Sequence, residues 1–166
     1  MESLEILAQR LGQLCLARGV NLATAESCTG GWVAQAITEI PGSSQWFDAG
    51  YVTYSNAAKQ RMLAVPAEVL RNFGAVSEET VEAMALGALQ EGNANLAVAI
   101  SGVAGPDGGS ELKPVGTVWF AWARKGHVLN TALCQFDGDR RSVREQAVRR
   151  ALQGLIQCAE HLDALS

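Results

Sequence analysis

The sequence predicts an α/β protein: a three-layer α/β/α sandwich whose mixed, mostly parallel sheet ends in an antiparallel edge hairpin. Three observations predict it. Helical stripes alternate with short apolar strands through the first half of the chain, the order that builds a parallel sheet covered by helices. Leu96 to Ser101 is an unbroken run of mostly small apolar residues, the look of a strand buried on both faces. Gly116 to Arg124 and Val128 to Phe136 are strand-like runs separated only by Lys125-Gly126-His127, which reads as a hairpin.

The elements follow in order. Leu4, Leu7, Leu11 and Leu14 form one helical stripe, which ends near Arg18-Gly19, where glycine suits the position after a helix. Val20 to Ala25 reads as a short buried strand. Val33, Ala36, Ile37 and Ile40 then fall at helical spacing, so Ser27 stands where a strand gives way to a helix. Pro41-Gly42-Ser43-Ser44 is a turn. Trp46 to Ser55 is rich in aromatic and β-branched residues and predicts a strand. Short helices are predicted over Asn56 to Leu63 and Pro66 to Phe73, with Pro66 at the first helical position. Ser77 caps a helix with Glu78 and Glu79 in its first turn and a stripe of Val81, Met84, Ala85, Ala88 and Leu89. Asp139 caps a long last helix with its stripe at Val148, Leu152, Leu155, Ala159 and Leu162.

Bulk properties bound the function. A chain of 166 residues without repeat or linker is expected to form one domain over residues 1–166. Its hydrophobic content of 48% and charged content of 18% suit an ordinary globular core. No apolar run approaches the ~20 residues of a membrane span, and Met1-Glu2-Ser3-Leu4-Glu5 lacks the basic start of a signal peptide, so a cytoplasmic location is expected. A net charge of −4 argues against general affinity for nucleic acid. Cys15, Cys28, Cys134 and Cys158 are scattered, and with only His127 and His161 besides they carry no zinc signature, so no metal or cofactor is expected.

Chemistry concentrates in three loops at predicted strand ends. The first is Thr24-Ala25-Glu26-Ser27-Cys28-Thr29-Gly30-Gly31-Trp32. A hydroxyl beside unpartnered N–H groups suits an acyl-transfer nucleophile, with Thr29, Gly30 and Gly31 as oxyanion donors. The plainer reading makes Ser27 an N-cap. Cys28 is a rival nucleophile because thiol pKa values fall at helix N-termini, although no histidine lies near it in sequence. The second loop follows Tyr54-Ser55-Asn56 and leads to Lys59, one of three lysines in the chain. A desolvated lysine beside a pocket can act as a base, whereas a random lysine is a solvated one. The third loop, Gly102 to Gly109, holds four glycines and can form an anion-binding nest or simply a wide turn. It lacks the ending of a P-loop. Arg140 and Arg141 open the last helix, at the end of the helix dipole that disfavours cations, which suggests a grip on phosphate as an alternative to a solvated pair.

Five motifs occur together and in order: Ala25-Glu26-Ser27-Cys28-Thr29-Gly30-Gly31; Val52-Thr53-Tyr54-Ser55-Asn56 with Lys59; Gly74-Ala75-Val76-Ser77; Ile100-Ser101-Gly102-Val103-Ala104-Gly105-Pro106-Asp107-Gly108-Gly109; and Lys113-Pro114-Val115-Gly116-Thr117-Val118. This set resembles the CinA C-terminal domain family over nearly the whole chain, and specifically its stand-alone amidohydrolases. The resemblance implies deamidation of nicotinamide mononucleotide to nicotinate mononucleotide and ammonia, in pyridine-nucleotide salvage, without metal. It implies Ser27 as nucleophile, Lys59 as base and Tyr54 assisting nearby. Asn56, Ser101, Gly102, Gly105 and Arg140 are the further candidates for substrate binding. Longer relatives carry an added N-terminal domain, and activity tied to it is not expected here. The expected partners are a small-molecule nucleotide and further copies of the chain, with no nucleic acid and no membrane. The rival reading is a non-catalytic nucleotide-binding regulatory module, for which Ser27 would only be a cap.

Overall fold

A computed structural model describes residues 1–162. Five strands form one sheet in the order β2-β1-β3-β4-β5, with β1 Leu22–Glu26, β2 Phe47–Val52, β3 Leu96–Gly102, β4 Thr117–Arg124 and β5 His127–Gln135. β1 pairs parallel with both β2 and β3, while β4 is antiparallel to both β3 and β5. Four strands therefore point one way and β4 alone is reversed. The expected mixed sheet with an edge hairpin is what forms. The reversal matters for the site: it returns the chain so that β5 ends at the same sheet edge as β1, β2 and β3.

Side-chain size sorts the two faces. Leu22, Leu96, Val98, Ile100, Val118, Phe120 and Trp122 pack under α1 (Leu4–Arg18), α2 (Trp32–Thr38) and α6 (Arg140–His161). The opposite face is almost all alanine: Ala23, Ala25, Ala97, Ala99, Ala121 and Ala123. Small side chains let α5 (Glu78–Gly87) lie close against β3 and β4, with α3 (Asn56–Leu63) and α4 (Ala67–Phe73) beside it. The run from Leu96 to Ser101 is legible for this reason, since it alternates large and small between two covered faces and has no polar side to show. Trp122 lies over Gly154 of α6 and donates its indole N–H to the Ala151 carbonyl at 3.2 Å.

The local signals hold in most places. Ser77 and Asp139 accept from Thr80 N–H and Ser142 N–H as N-caps of α5 and α6. Ser55 caps α3 by accepting from Ala58 N–H. Pro66 is the N-cap of α4, one residue before the first helical position expected for it. The larger correction concerns Ser27. It does not cap α2, whose N-cap is Gly31, in the left-handed region at φ 96°. A five-residue turn separates β1 from α2, and that turn frees the serine side chain for another task.

Candidate active site

The carboxyl ends of β1, β2 and β3 open onto a cavity of about 280 Å³. Ser27 follows β1, Thr53 and Tyr54 follow β2, and the Gly102–Gly109 segment follows β3. α6 begins at Arg140, four residues after the last expected residue of the β5 run, and brings Arg140 to the same rim. Ligand loops of open α/β sheets gather at this edge.

The centre of the cavity is a serine–lysine pair. Lys59 Nζ lies 2.9 Å from Ser27 Oγ, with the lysine 1% and the serine 8% exposed. Nζ also reaches the Thr53 carbonyl at 2.7 Å and the Tyr54 carbonyl at 3.4 Å. Lys59 comes into place because only Thr53 and Tyr54 separate β2 from Ser55, the N-cap of α3, and the fourth helical residue then reaches back to the carbonyls of those two residues. No carboxylate pairs with it among the described residues. Burial lowers its pKa from 10.5 to about 8, because an ammonium loses more solvation than an amine does.

The turn after Ser27 is tightly specified. Ser27 N–H donates to Ile100 O, and Gly30 N–H donates to Ser27 O at 3.0 Å. Gly30 is thus committed within the turn, which removes it from the expected oxyanion donors. The side chain of Glu26, fully buried, takes the N–H groups of Val33 at 2.9 Å and Ala34 at 3.0 Å and the Thr29 hydroxyl at 2.7 Å. A carboxylate at the positive end of α2 does the capping that the sequence suggested for Ser27. From the other side, Arg144 donates to the carbonyls of Cys28 at 3.0 Å and Thr29 at 3.2 Å.

Cys28 lines the cavity, but burial pushes its thiol up to about 12. A thiol so far from ionising at neutral pH is a poor rival to Ser27. His127 and His161 stand away from this cavity, in the exposed start of β5 and the last turn of α6.

At the rim, Arg140 donates to the Gly105 carbonyl at 2.7 Å and to the Tyr54 hydroxyl at 3.0 Å. Tyr54 is 62% exposed and lines the cavity beside Arg140. Ser101, Gly102 and Gly105 line the cavity as the sequence suggested, together with Ala75 and Val76 from the segment before α5. Lys113 ties the glycine segment to α4 by donating to the Phe73 carbonyl at 2.8 Å. Thr29, Gly30, Gly31 and Asn56 are not among the lining residues: Asn56 is an exposed first residue of α3, and the other three shape the turn. Sequence reasoning missed Glu26, Arg144 and Asp107 as contributors. Arg144 lies one helical turn after Arg140, and that spacing was the available signal.

Fold and cavity together define a class: a three-layer α/β protein with a buried serine–lysine pair at the carboxyl edge of its parallel strands. Within that class the chain belongs to the CinA C-terminal domain family, whose model matches residues 4–159. A relative from Pseudomonas putida named nicotinamide-nucleotide amidohydrolase PncC is 56% identical over 157 residues, covering 95% of this chain and 98% of its own. One of the same name from Escherichia coli K12 is 57% identical over 152 residues, covering 91% of this chain and 92% of its own. The crystal structure of a competence-damaged protein (CinA) superfamily protein from Klebsiella pneumoniae 700603 matches with a TM-score of 0.92 at 42% identity, covering 97% of this chain and 100% of that one. Among the described residues, no helix is long and apolar enough to cross a membrane.

Proposed function

We propose that this protein is a nicotinamide-nucleotide amidohydrolase, converting nicotinamide mononucleotide to nicotinate mononucleotide and ammonia with Ser27 as nucleophile and Lys59 as base. The names of relatives at about 55% identity over most of the chain support the reaction. One observation carries the mechanism: a desolvated lysine amine 2.9 Å from a serine hydroxyl, in a cavity at the strand ends.

The hydrogen bonds around Lys59 set the direction of proton transfer. A neutral amine has two N–H donors and one lone pair. The Thr53 and Tyr54 carbonyls can only accept, so they take the two N–H groups. The lone pair is then left facing Ser27 Oγ–H. As Oγ bonds to the amide carbon, the hydroxyl proton passes to Nζ. The ammonium formed is held by the same two carbonyls and returns the proton to the departing nitrogen as the C–N bond breaks. Water then cleaves the ester, with neutral Lys59 taking its proton. The electron-withdrawing pyridinium makes this amide easier to attack than a peptide.

Arg140 suits the 5′-phosphate, since its guanidinium has N–H donors beyond those spent on Gly105 and Tyr54. Tyr54 then acts at the rim through Arg140, and at the base through its backbone carbonyl. A cytoplasmic location and assembly with further copies belong to the same reading. Ammonia release by purified protein given nicotinamide mononucleotide tests it. A regulatory module would bind the nucleotide and release none.

A further inference from the structure

We propose that Ser101 is a further catalytic residue of this site: its hydroxyl donates a hydrogen bond to the oxyanion that forms when Ser27 attacks the amide. This rests on Ser27 acting as the nucleophile.

The sheet sets Ser101 beside Ser27. β1 and β3 run parallel with Glu26 opposite Ile100, and the Ser27 N–H carries the ladder one step further by donating to Ile100 O at 3.0 Å. Ser27 and Ser101 are therefore neighbours across the sheet, on backbones about 4.8 Å apart. Their side chains share a face. Glu26 turns its carboxylate to α2, and Ile100 packs in the core beneath the same helices, so the next residue on each strand points to the other side. From that side α3 brings Lys59 to Ser27 Oγ. Ser101 is 1% exposed yet lines the cavity, and its hydroxyl has no hydrogen-bond partner among the described residues. It continues the row of Ala97 and Ala99, where alanine would satisfy the packing. A buried hydroxyl without a partner costs stability, and a partner that arrives with the substrate accounts for keeping one here.

The order of the strands decides which substrate atom the hydroxyl meets. β1 lies between β2 and β3. Lys59 Nζ is held on the β2 side, by the carbonyls of Thr53 and Tyr54. The departing nitrogen must face Lys59 to receive its proton, which puts the amide nitrogen on the β2 side of the attacked carbon. The amide oxygen is the other branch of that carbon and falls on the β3 side, towards Ser101. The turn after β1 leaves this place to a side chain. Ser27 N–H and Gly30 N–H are spent on Ile100 O and Ser27 O, the Cys28 N–H is engaged by its own thiol, and neither Thr29 nor Gly31 lines the cavity. As Ser27 Oγ bonds to the carbon, the carbonyl π pair moves onto oxygen and the Ser27 proton passes to Lys59. Ser101 keeps its own proton and shares it with the oxyanion through the hydrogen bond.

The test begins with wild type and Ser27→Ala on nicotinamide mononucleotide. Absent wild-type turnover, or undiminished turnover in Ser27→Ala, overturns the nucleophile assignment and this proposal with it. With that assignment standing, Ser101→Ala is expected to lower kcat about 100- to 1,000-fold, the loss of one oxyanion donor, with KM nearly unchanged. Its stability in urea should equal or exceed that of wild type, because no partner is lost. The apparent pKa of the pH–rate profile should stay where wild type has it, because Lys59 is held from the β2 side. The discriminating probe is the thioamide analogue of nicotinamide mononucleotide, whose sulfur accepts a hydrogen bond more weakly than oxygen does. Wild type should favour the amide over the thioamide by a larger ratio of kcat/KM than Ser101→Ala does, whereas a purely structural role would slow both substrates alike. Should Ser101→Ala fail to fold by circular dichroism, Ser101→Gly is read in the same way. An unchanged kcat in a folded variant overturns the proposal, and so does a loss confined to KM or an amide-to-thioamide ratio equal to that of wild type.

Discussion

Replacing Lys59, or titrating it, gives the most quantitative prediction. Burial sets its pKa at about 8 rather than 10.5. A base with a pKa of about 8 is neutral in about one molecule in eleven at pH 7 and about ten in eleven at pH 9. The kcat/KM for nicotinamide mononucleotide should therefore rise about tenfold over that range and then level off. The same shift acts on stability. The folded state disfavours the ammonium, so a penalty is present in full below pH 8 and fades as pH rises towards 10.5. The difference between 10.5 and about 8 corresponds to about 3 kcal/mol. Lys59→Met should abolish ammonia release. Its stability relative to wild type should fall by up to about 3 kcal/mol between pH 8 and pH 10.5, because wild type gains what the variant cannot. Lys59→Arg should not restore activity, since arginine keeps its proton. A coupled ammonia assay over pH 6–10, with urea unfolding at the same pH values, reads both. A rate that keeps climbing tenfold per pH unit beyond pH 9 would show a lysine of ordinary pKa. A flat profile would remove Lys59 as the base.

Two further predictions concern the rim and the turn. Arg140→Ala should lower kcat/KM for the nucleotide roughly 10- to 150-fold, the worth of a charge-assisted hydrogen bond, while nicotinamide riboside, having no phosphate, barely responds. Equal losses for both substrates in side-by-side assays would place Arg140 in the fold or the chemistry instead, with Arg141→Ala as control. Glu26→Ala should cost about 3 kcal/mol or more in urea unfolding, because the Val33 and Ala34 N–H groups and the Thr29 hydroxyl lose a buried acceptor. A cost below about 1 kcal/mol would mean that water replaces the carboxylate without difficulty.

The architecture was legible because its signals are local and periodic. The stripes of α1 and α6, the Ser77 and Asp139 caps and the closely spaced pair of late strands each depend on neighbours within a few residues. The dyad was legible as two candidates on two loops, but its contact spans 32 positions, and only the parallel pairing of β1 with β2 brings the two ends together. Reasoning from local pattern failed where the detailed course of a turn, or a contact from a distant helix, decided which group met which. Ser27 looked like a cap because it stands before a helical stripe, yet Glu26 supplies the acceptors for α2. Gly30 looked like an open donor, yet it closes the turn on Ser27 O. Asn56 was a candidate as part of the Tyr54-Ser55-Asn56 motif, yet it is the exposed first residue of α3. Arg144 reaches Cys28 from 116 positions away, beyond the range of any pattern within a single element.

The central claim is that Ser27, and not its neighbour Cys28, attacks the amide. Ammonia release from nicotinamide mononucleotide by wild type, Ser27→Ala and Cys28→Ala, each shown to be folded, tests it most directly. The account predicts turnover in wild type and Cys28→Ala and background release in Ser27→Ala. Turnover that survives in Ser27→Ala, or disappears in a folded Cys28→Ala, would contradict it.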